Sequence, residues 1–336
     1  MRILLINLGS PKSLSIIDVK EYLREFLSDD CVVDLPKYLQ QIILQLFILP
    51  FRPKKTKLAY EQIWSEKGSP LIYNTQLIAN KLKESTGIEV DIAMRYQEPS
   101  IKSYIIKMKE QNEKELIVIP LYPHNAMSTT VSINIEFEKL AHECYNDLNY
   151  TIIQPFYNKT KYIEALGESI KPYLDDNIDK LIFSYHGIPE RHIKKSDLNG
   201  NHCLKSIDCC KASCNSATTC YRSNVYKTSL STAKYLNLVD HQWCMTFQSR
   251  VSIIDPRWLK PYTDKHLSNL PKSNICNIAI VCPSFVADCL ETIEEINIRG
   301  KETFLNAGGE SFKYIPCLND SLEFINLLSD LIDETI

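Results

Sequence analysis

Glycine is scarce, 9 of 336 residues, against a usual share of roughly 7%. That excludes collagen-like, glycine-rich disordered and propeller-type chains and predicts a compact protein dense in regular elements. No long hydrophobic run exists. The longest, Ile42–Phe51, is broken by Gln45 and is about half the roughly 20 residues a spanning helix needs, so the chain is not expected to be an integral membrane protein. There is no surplus of charge either: Lys+Arg 38 against Asp+Glu 41, net −3. A nucleic-acid partner bound through its phosphates is not expected from that balance. No GxGxxG or Walker-type loop follows any strand-like run, which argues against a nucleotide-binding enzyme. The opening MRILLINLGSP has too short an apolar stretch for a signal-peptide core and no small-residue cleavage site; the expectation is a cytoplasmic protein. What the chain does have is cysteine, 12 in all, which in that compartment reads as buried thiols or metal ligands rather than disulfides.

At 336 residues the chain exceeds the size at which one core usually splits, so two domains are expected. Short β-rich runs alternate with segments of helical period: Ile3–Ile6, Ile88–Ala93, Leu116–Pro120, Thr151–Ile153, Lys180–Ser184, Gln242–Phe247, Asn277–Val281 and Phe312–Ile315. This is the pattern of parallel sheets covered on both faces. The fold class is therefore α/β, with two Rossmann-like domains, each a four-stranded parallel sheet flanked by helices. We place the first at 1–152, with a C-terminal helix at about 319–336 packing back on it, and the second at 153–318.

In open α/β sheets ligands bind beyond the carboxyl ends of the strands. The residues there are NLGSP (Asn7–Pro11), LYPHNAMSTT (Leu121–Thr130), FSYHGIPERH (Phe183–His192), FQSR (Phe247–Arg250) and CPSFVADCLETIEE (Cys282–Glu295). His186 comes directly off an apolar strand and precedes Gly187. A helix expected to open near Val286 carries Glu294 and, at i and i+4 on one face, Glu291 and Glu295. Alone, the histidine reads as a structural hydrogen-bonder and the acids as a solvated face. Five cysteines, Cys203, Cys209, Cys210, Cys214 and Cys220, fall within HCLKSIDCCKASCNSATTC, an insert at about 195–222. Unrelated free thiols, a structural zinc site and an iron–sulfur cluster all fit such a group.

The combination of Asn7–Pro11, Arg95–Tyr96, SYHGIPERH, FQSR followed by WLKPYT (Trp258–Thr263), and ADCLET (Ala287–Thr292) resembles ferrochelatase, with the motifs in family order from residue 7 to 292. The resemblance implies insertion of Fe(II) into a porphyrin with release of two protons, the terminal step of haem formation, in a cleft between the two domains. A neutral imidazole, of pKa about 6.5, suits removal of the pyrrole protons; His186 is the matching position. Glu291 and Glu295 match the family's acidic row, with His186 and Glu291 the residues that meet the substrate iron. Arg299 stands where some relatives keep a third acid, which leaves Glu294 or water to finish a proton route.

Bending a flat macrocycle takes binding energy over a large apolar face. Leu8, Ile188, Trp258 and Phe285 match positions that line the porphyrin. Tyr122, Tyr185 and Tyr262 are weaker candidates, Tyr185 because it should face away from its neighbour His186. Arg95 and Tyr96 match an element near the iron-facing side, and Ser128, Thr129 and Thr130 a hydroxyl-rich turn suited to a propionate. FQSR–WLKPYT and ADCLETIEE look like protoporphyrin IX users, with coproporphyrin the alternative.

The insert resembles that of bacterial members in which a 2Fe–2S cluster is built internally. Only Cys317 lies beyond Cys289, so the arrangement of animal members is not expected. Spacing favours Cys203, Cys210, Cys214 and Cys220 as cluster ligands, with Cys209 in reserve and zinc as the alternative metal. The stretch Ile42–Phe51, followed by Arg52, Lys54 and Lys55, is an ordinary buried helix ending at Pro50 or, as the resemblance implies, a lip that receives a lipophilic substrate and touches the inner membrane peripherally. Monomer and homodimer both remain open. The competing functions are a cobalt or nickel chelatase, a tetrapyrrole or iron carrier, and an iron–sulfur redox protein.

Overall fold

The computed structural model describes residues 1–206, 208–211, 214–251 and 257–336. Eight strands form two four-stranded parallel sheets. The first comprises β1 (Arg2–Asn7), β2 (Val90–Met94), β3 (Glu115–Pro120) and β4 (Asn149–Ile152), in the order β2-β1-β3-β4. The second comprises β5 (Lys180–His186), β6 (Trp243–Gln248), β7 (Asn277–Val281) and β8 (Ser311–Tyr314), in the order β6-β5-β7-β8. Ile3, Leu4, Leu5 and Ile6 of β1 are fully buried, because helices cover both faces of a parallel sheet and alternation gives way to continuous apolarity. The same holds at Ile182 and Phe183 of β5 and at Ile278, Ala279 and Ile280 of β7.

The chain divides into two compact units, residues 1–122, 127–154 and 319–336, and residues 123–126 and 155–318. In the first, the helix Leu322–Asp333 is capped by Ser321 and linked to the helix Pro70–Thr86 through Lys81 and Asp320 at 2.7 Å. In the second, Ile182, Ile280, Ile296 and Phe304 belong to one hydrophobic cluster, and Phe183, Phe247, Val225 and Val281 to another.

Two expected elements differ. The segment 36–51 is not one buried helix. It is a helix at Lys37–Ile43, a π-helical turn at Leu44–Ile48 and, past Pro50, a further helix at Arg52–Glu61. Pro53 sits in that helix's first turn, where a missing N–H costs nothing, so the prolines separate two helices instead of ending the region. Tyr38, Ile42, Leu46, Phe47 and Phe51 are exposed, which overturns the buried-helix reading. The acidic helix starts not near Val286 but at Leu290, and after one short turn becomes π-helical over Ile293–Gly300. The cause is local. Cys289 lies in extended backbone and its N–H donates to Thr292 Oγ1 at 2.9 Å, which fixes the start four residues late.

Candidate active site

β5 and β6 run in register to their carboxyl ends, where His186 pairs with Gln248. Gly187 N–H donates to Gln248 O at 2.8 Å, and a Cβ at Gly187 would lie 2.8 Å from that oxygen; glycine is required by the close approach. His186 is half-buried, its Nδ1 is 2.7 Å from Gly187 O, and a carbonyl can only accept, so Nδ1 carries the proton and Nε2 is the basic nitrogen. Its backbone is held at both ends: His186 N–H donates to Ser284 Oγ at 3.2 Å, and Tyr221 Oη donates to His186 O at 2.8 Å. Tyr185 points the other way, fully buried, with its hydroxyl 2.8 Å from Ser229 Oγ.

Gln248 connects this base to the acids. Its Oε1 accepts from Ser184 Oγ at 2.6 Å and its Nε2 donates to Glu291 O at 2.7 Å. Ser249, with φ 63°, presents its N–H to Glu295 Oε1 at 2.8 Å and its hydroxyl to Glu295 Oε2. Burial raises the Glu295 carboxyl, opposed by the two Ser249 bonds and by Arg299. Glu294 is paired with Arg299 through two bonds of 3.2 and 3.1 Å. The same carboxyl edge carries Phe285, its ring 6.1 Å from the His186 ring, and Ile188, whose carbonyl accepts from Leu259 N–H beside Trp258. Ile188 and Trp258 are 4% and 8% exposed.

The first unit gathers its own set at the ends of β1, β2 and β3. Leu8 N–H donates to Asn7 Oδ1 at 2.8 Å, Leu8 O accepts from Tyr96 N–H at 2.9 Å, and Tyr122 Oη donates to Asn7 Oδ1 at 3.2 Å. Gly9 has φ 107°, and a Cβ there would lie 2.0 Å from Tyr96 O, so no other residue fits. Arg95 and Tyr96 converge on Asp29: Arg95 Nη2 at 2.7 Å and Tyr96 Oη at 2.8 Å, together with Ser132 Oγ at 2.5 Å, donate to Asp29 Oδ2. These partners hold the Asp29 carboxyl below its ordinary value against the opposing effect of burial, and burial beside Asp29 drives the Tyr96 phenol well up. Tyr96 is fully buried, with its N–H on Leu8 O and its ring beneath the Arg95 guanidinium at 4.7 Å. Ser128 and Thr129 lie half-buried on the π-helical turn Met127–Val131 that leads into the helix Ser132–Cys144.

In the insert, Cys203, Cys209 and Cys220 are buried and Cys210 and Cys214 half-buried. Asp197 staples the loop by accepting from the N–H groups of His202 and Cys203 at 2.7 and 2.8 Å and from Ser216 Oγ at 2.7 Å, and these bonds hold its carboxyl well below the ordinary range. Cys209 and Cys210 Sγ are 4.0 Å apart, with Arg222 Nη1 at 3.3 and 3.5 Å from them. Hydrogen bonds from Cys210 and Cys203 lower the Cys220 thiol to about 6. Residues 207, 212 and 213 of the insert lie outside the described residues. Among the described residues no group of three or more His, Cys, Asp or Glu side chains is arranged to hold a metal ion.

A family model described as Ferrochelatase matches residues 2–336. The chain belongs to the ferrochelatase family. It is 41% identical over 331 residues to a ferrochelatase of Pseudomonas fluorescens (strain Pf0-1), covering 98% of this chain and 96% of the relative. It is 43% identical over 331 residues to one of Opitutus terrae, covering 98% and 95%. Two solved structures share the fold at much lower identity: SirB from Bacillus subtilis with Fe3+, TM-score 0.55, 12% identical, covering 100% and 96% of the chains, and the sirohydrochlorin chelatase SirB from Bacillus subtilis subspecies spizizenii in complex with cobalt, TM-score 0.56, 11% identical, covering 100% and 95%. Gln248, Ser249 and Asp29 were not singled out by sequence; FQSR was the only signal for the first two, and nothing marked Asp29.

Proposed function

We propose that this ferrochelatase-family enzyme inserts Fe(II) into protoporphyrin IX, with His186 Nε2 accepting a pyrrole proton, Glu291 meeting the metal with His186, and Glu295 carrying protons away. The observation that supports this most is the join at the carboxyl edge of the second sheet. His186 is fixed as an Nε2 base, and its register partner Gln248 is bonded to Glu291. Removal of two N–H protons needs a base that is neutral at physiological pH and a polar exit; imidazole and carboxylates supply both.

Leu8, Arg95, Tyr122, Ser128, Thr129, Ile188, Trp258 and Phe285 are proposed to bind the porphyrin, the apolar members its face and the polar ones its carboxylates. The test is insertion and binding measured side by side. His186→Ala and Glu291→Gln should cut Fe(II) and Zn(II) insertion by about a hundredfold or more while porphyrin fluorescence titration shows binding retained. Insertion within threefold of the parent, or loss of binding with insertion, refutes the assignment. Equal kcat/KM for coproporphyrin would refute the substrate choice.

The insert's thiols, with Arg222 beside them, have the chemistry of a thiolate-bound group. Cys203, Cys210 and Cys220 are proposed as three ligands of a 2Fe–2S cluster, with Cys214 or Cys209 as the fourth. Such a cluster would supply structure or redox sensing, since metal insertion changes no oxidation state. Visible absorbance that bleaches on reduction, and is lost in either Cys214→Ser or Cys209→Ser, identifies the fourth ligand; zinc without colour refutes the cluster.

No helix among the described residues is long and apolar enough to cross a membrane. The exposed Tyr38, Ile42, Leu46, Phe47 and Phe51 next to exposed Lys54 and Lys55 support peripheral contact of a cytoplasmic enzyme with anionic bilayers. Co-flotation with anionic but not zwitterionic vesicles, abolished by Phe47→Ser/Phe51→Ser, checks this.

A further inference from the structure

At the end of β6 the backbone and side chain of Ser249 both point at a single carboxylate. Its φ of 63° is uncommon for a residue with a side chain. That conformation lets the N–H, at 2.8 Å, and the hydroxyl of one residue reach the two oxygens of Glu295 together. Glu295 lies on the π-helical segment, one position after the Glu294 that is paired away to Arg299. The neighbour Gln248 bonds to the backbone of Glu291, so consecutive residues of one strand end engage both acids.

We infer that Ser249 is a positioning residue for metal insertion: it holds the Glu295 carboxylate in one orientation, with both oxygens occupied, so that this acid can take up and release a proton at a fixed place. The inference rests on the reading that Glu295 belongs to the proton-carrying acids. A carboxylate on a flexible side chain has several rotamers, and a two-point clamp from a rigid strand end selects one before substrate arrives. The charged or titratable groups that face Glu295 are Arg299 on its own segment, Glu291 in the turn before it and Cys282 at the end of β7; all remain when the hydroxyl is removed.

Ser249→Ala removes the hydroxyl and keeps the N–H. Ser249→Gly does the same while suiting the backbone conformation, so it remains informative if the alanine variant folds poorly. Both should lower kcat for Zn(II) or Fe(II) insertion about tenfold, leave porphyrin KM within about twofold, and move the acidic limb of the pH profile upward, since the lost bond favoured the ionised acid. With Glu295→Gln in place, Ser249→Ala should have no further effect on kcat. A glycine variant with parental kcat and pH profile, or full multiplication of the two effects in the double variant, overturns the inference. If Glu295→Gln alone leaves insertion unchanged, the reading of Glu295 as a proton carrier falls. Ser249 is then judged by 13C NMR titration of the Glu295 carboxyl, where an upward shift in Ser249→Ala supports the clamp and an unmoved titration refutes it.

Discussion

His124 makes the stability of the second unit depend on pH. It is 2% exposed, ringed by Tyr157, Tyr162, Tyr185 and Tyr221 at centroid distances of 6.4, 6.4, 5.5 and 6.1 Å. Nε2 lies 3.0 Å from Thr228 Oγ1, and Nδ1 has no partner among the described residues. Burial alone lowers its pKa from 6.5 to about 3. A folded-state pKa below the unfolded one means the fold binds the neutral ring; the stabilisation is complete above about 6.5 and is lost progressively as pH falls toward about 3. At about 1.36 kcal/mol per unit the whole span is worth about 5 kcal/mol, and the part lost between pH 7.5 and 4.5 is about 2.7 kcal/mol. A tyrosine ring face would return about 2 kcal/mol to a charged imidazolium, less than the span. His124→Gln keeps a polar contact to Thr228 without a titrating ring. Urea unfolding at the two pH values, followed by hydrogen exchange in β5 and β7, should show the parent losing about 2.7 kcal/mol more than the variant. Equal losses would refute the reasoning, because every other titrating group is common to both proteins.

Other outcomes follow from particular contacts. Asp29→Ala strands the partly buried Arg95 guanidinium and should cost about 3 kcal/mol, read as a lower urea midpoint of the first unit, together with a raised porphyrin KM; an unchanged midpoint contradicts the shared-carboxylate account. Gly9→Ala forces a side chain against the Tyr96 carbonyl and should destabilise by about 3 kcal/mol or prevent folding, whereas Gly68→Ala, where nothing lies within 4 Å, should cost about 1 kcal/mol through its backbone alone. Asp197→Ala should free the loop at Cys203, seen as faster labelling of the insert's thiols by a maleimide at neutral pH; unchanged labelling would mean the staple is dispensable.

Much of this was legible in advance for a definite reason. Strands buried on both faces are short apolar runs with few alternatives, so the runs at 3–6, 116–120, 180–184 and 277–281 each stand within β1, β3, β5 and β7. The residues directly after those runs had to lie at the carboxyl edge, which put His186 there, while Ile188 and Phe285 were named only by the resemblance of their motifs to the family. What could not be read were partnerships between distant segments. Asp29 is 66 residues from Arg95 and 103 from Ser132, and nothing about an aspartate after a helix announces either. Nor does apolar spacing distinguish α from π winding, so Glu294 and Glu295 were placed on the wrong kind of helix. Pro50 read as a stop, and nothing marked Pro53, three residues on, as lying in the first turn of a new helix, where a proline is equally a start.

The widened winding at Ile293–Gly300 has a further meaning. A π-helical stretch behaves as a residue inserted into a regular helix, and here it lets two adjacent glutamates be sorted to different fates, one neutralised by an arginine and its neighbour gripped by a serine. Deleting a single residue between 296 and 299 would rewind the stretch and reshuffle those assignments without touching either acid. The spare residue thus works as a spacer that decides which of two identical side chains meets the arginine and which meets the serine.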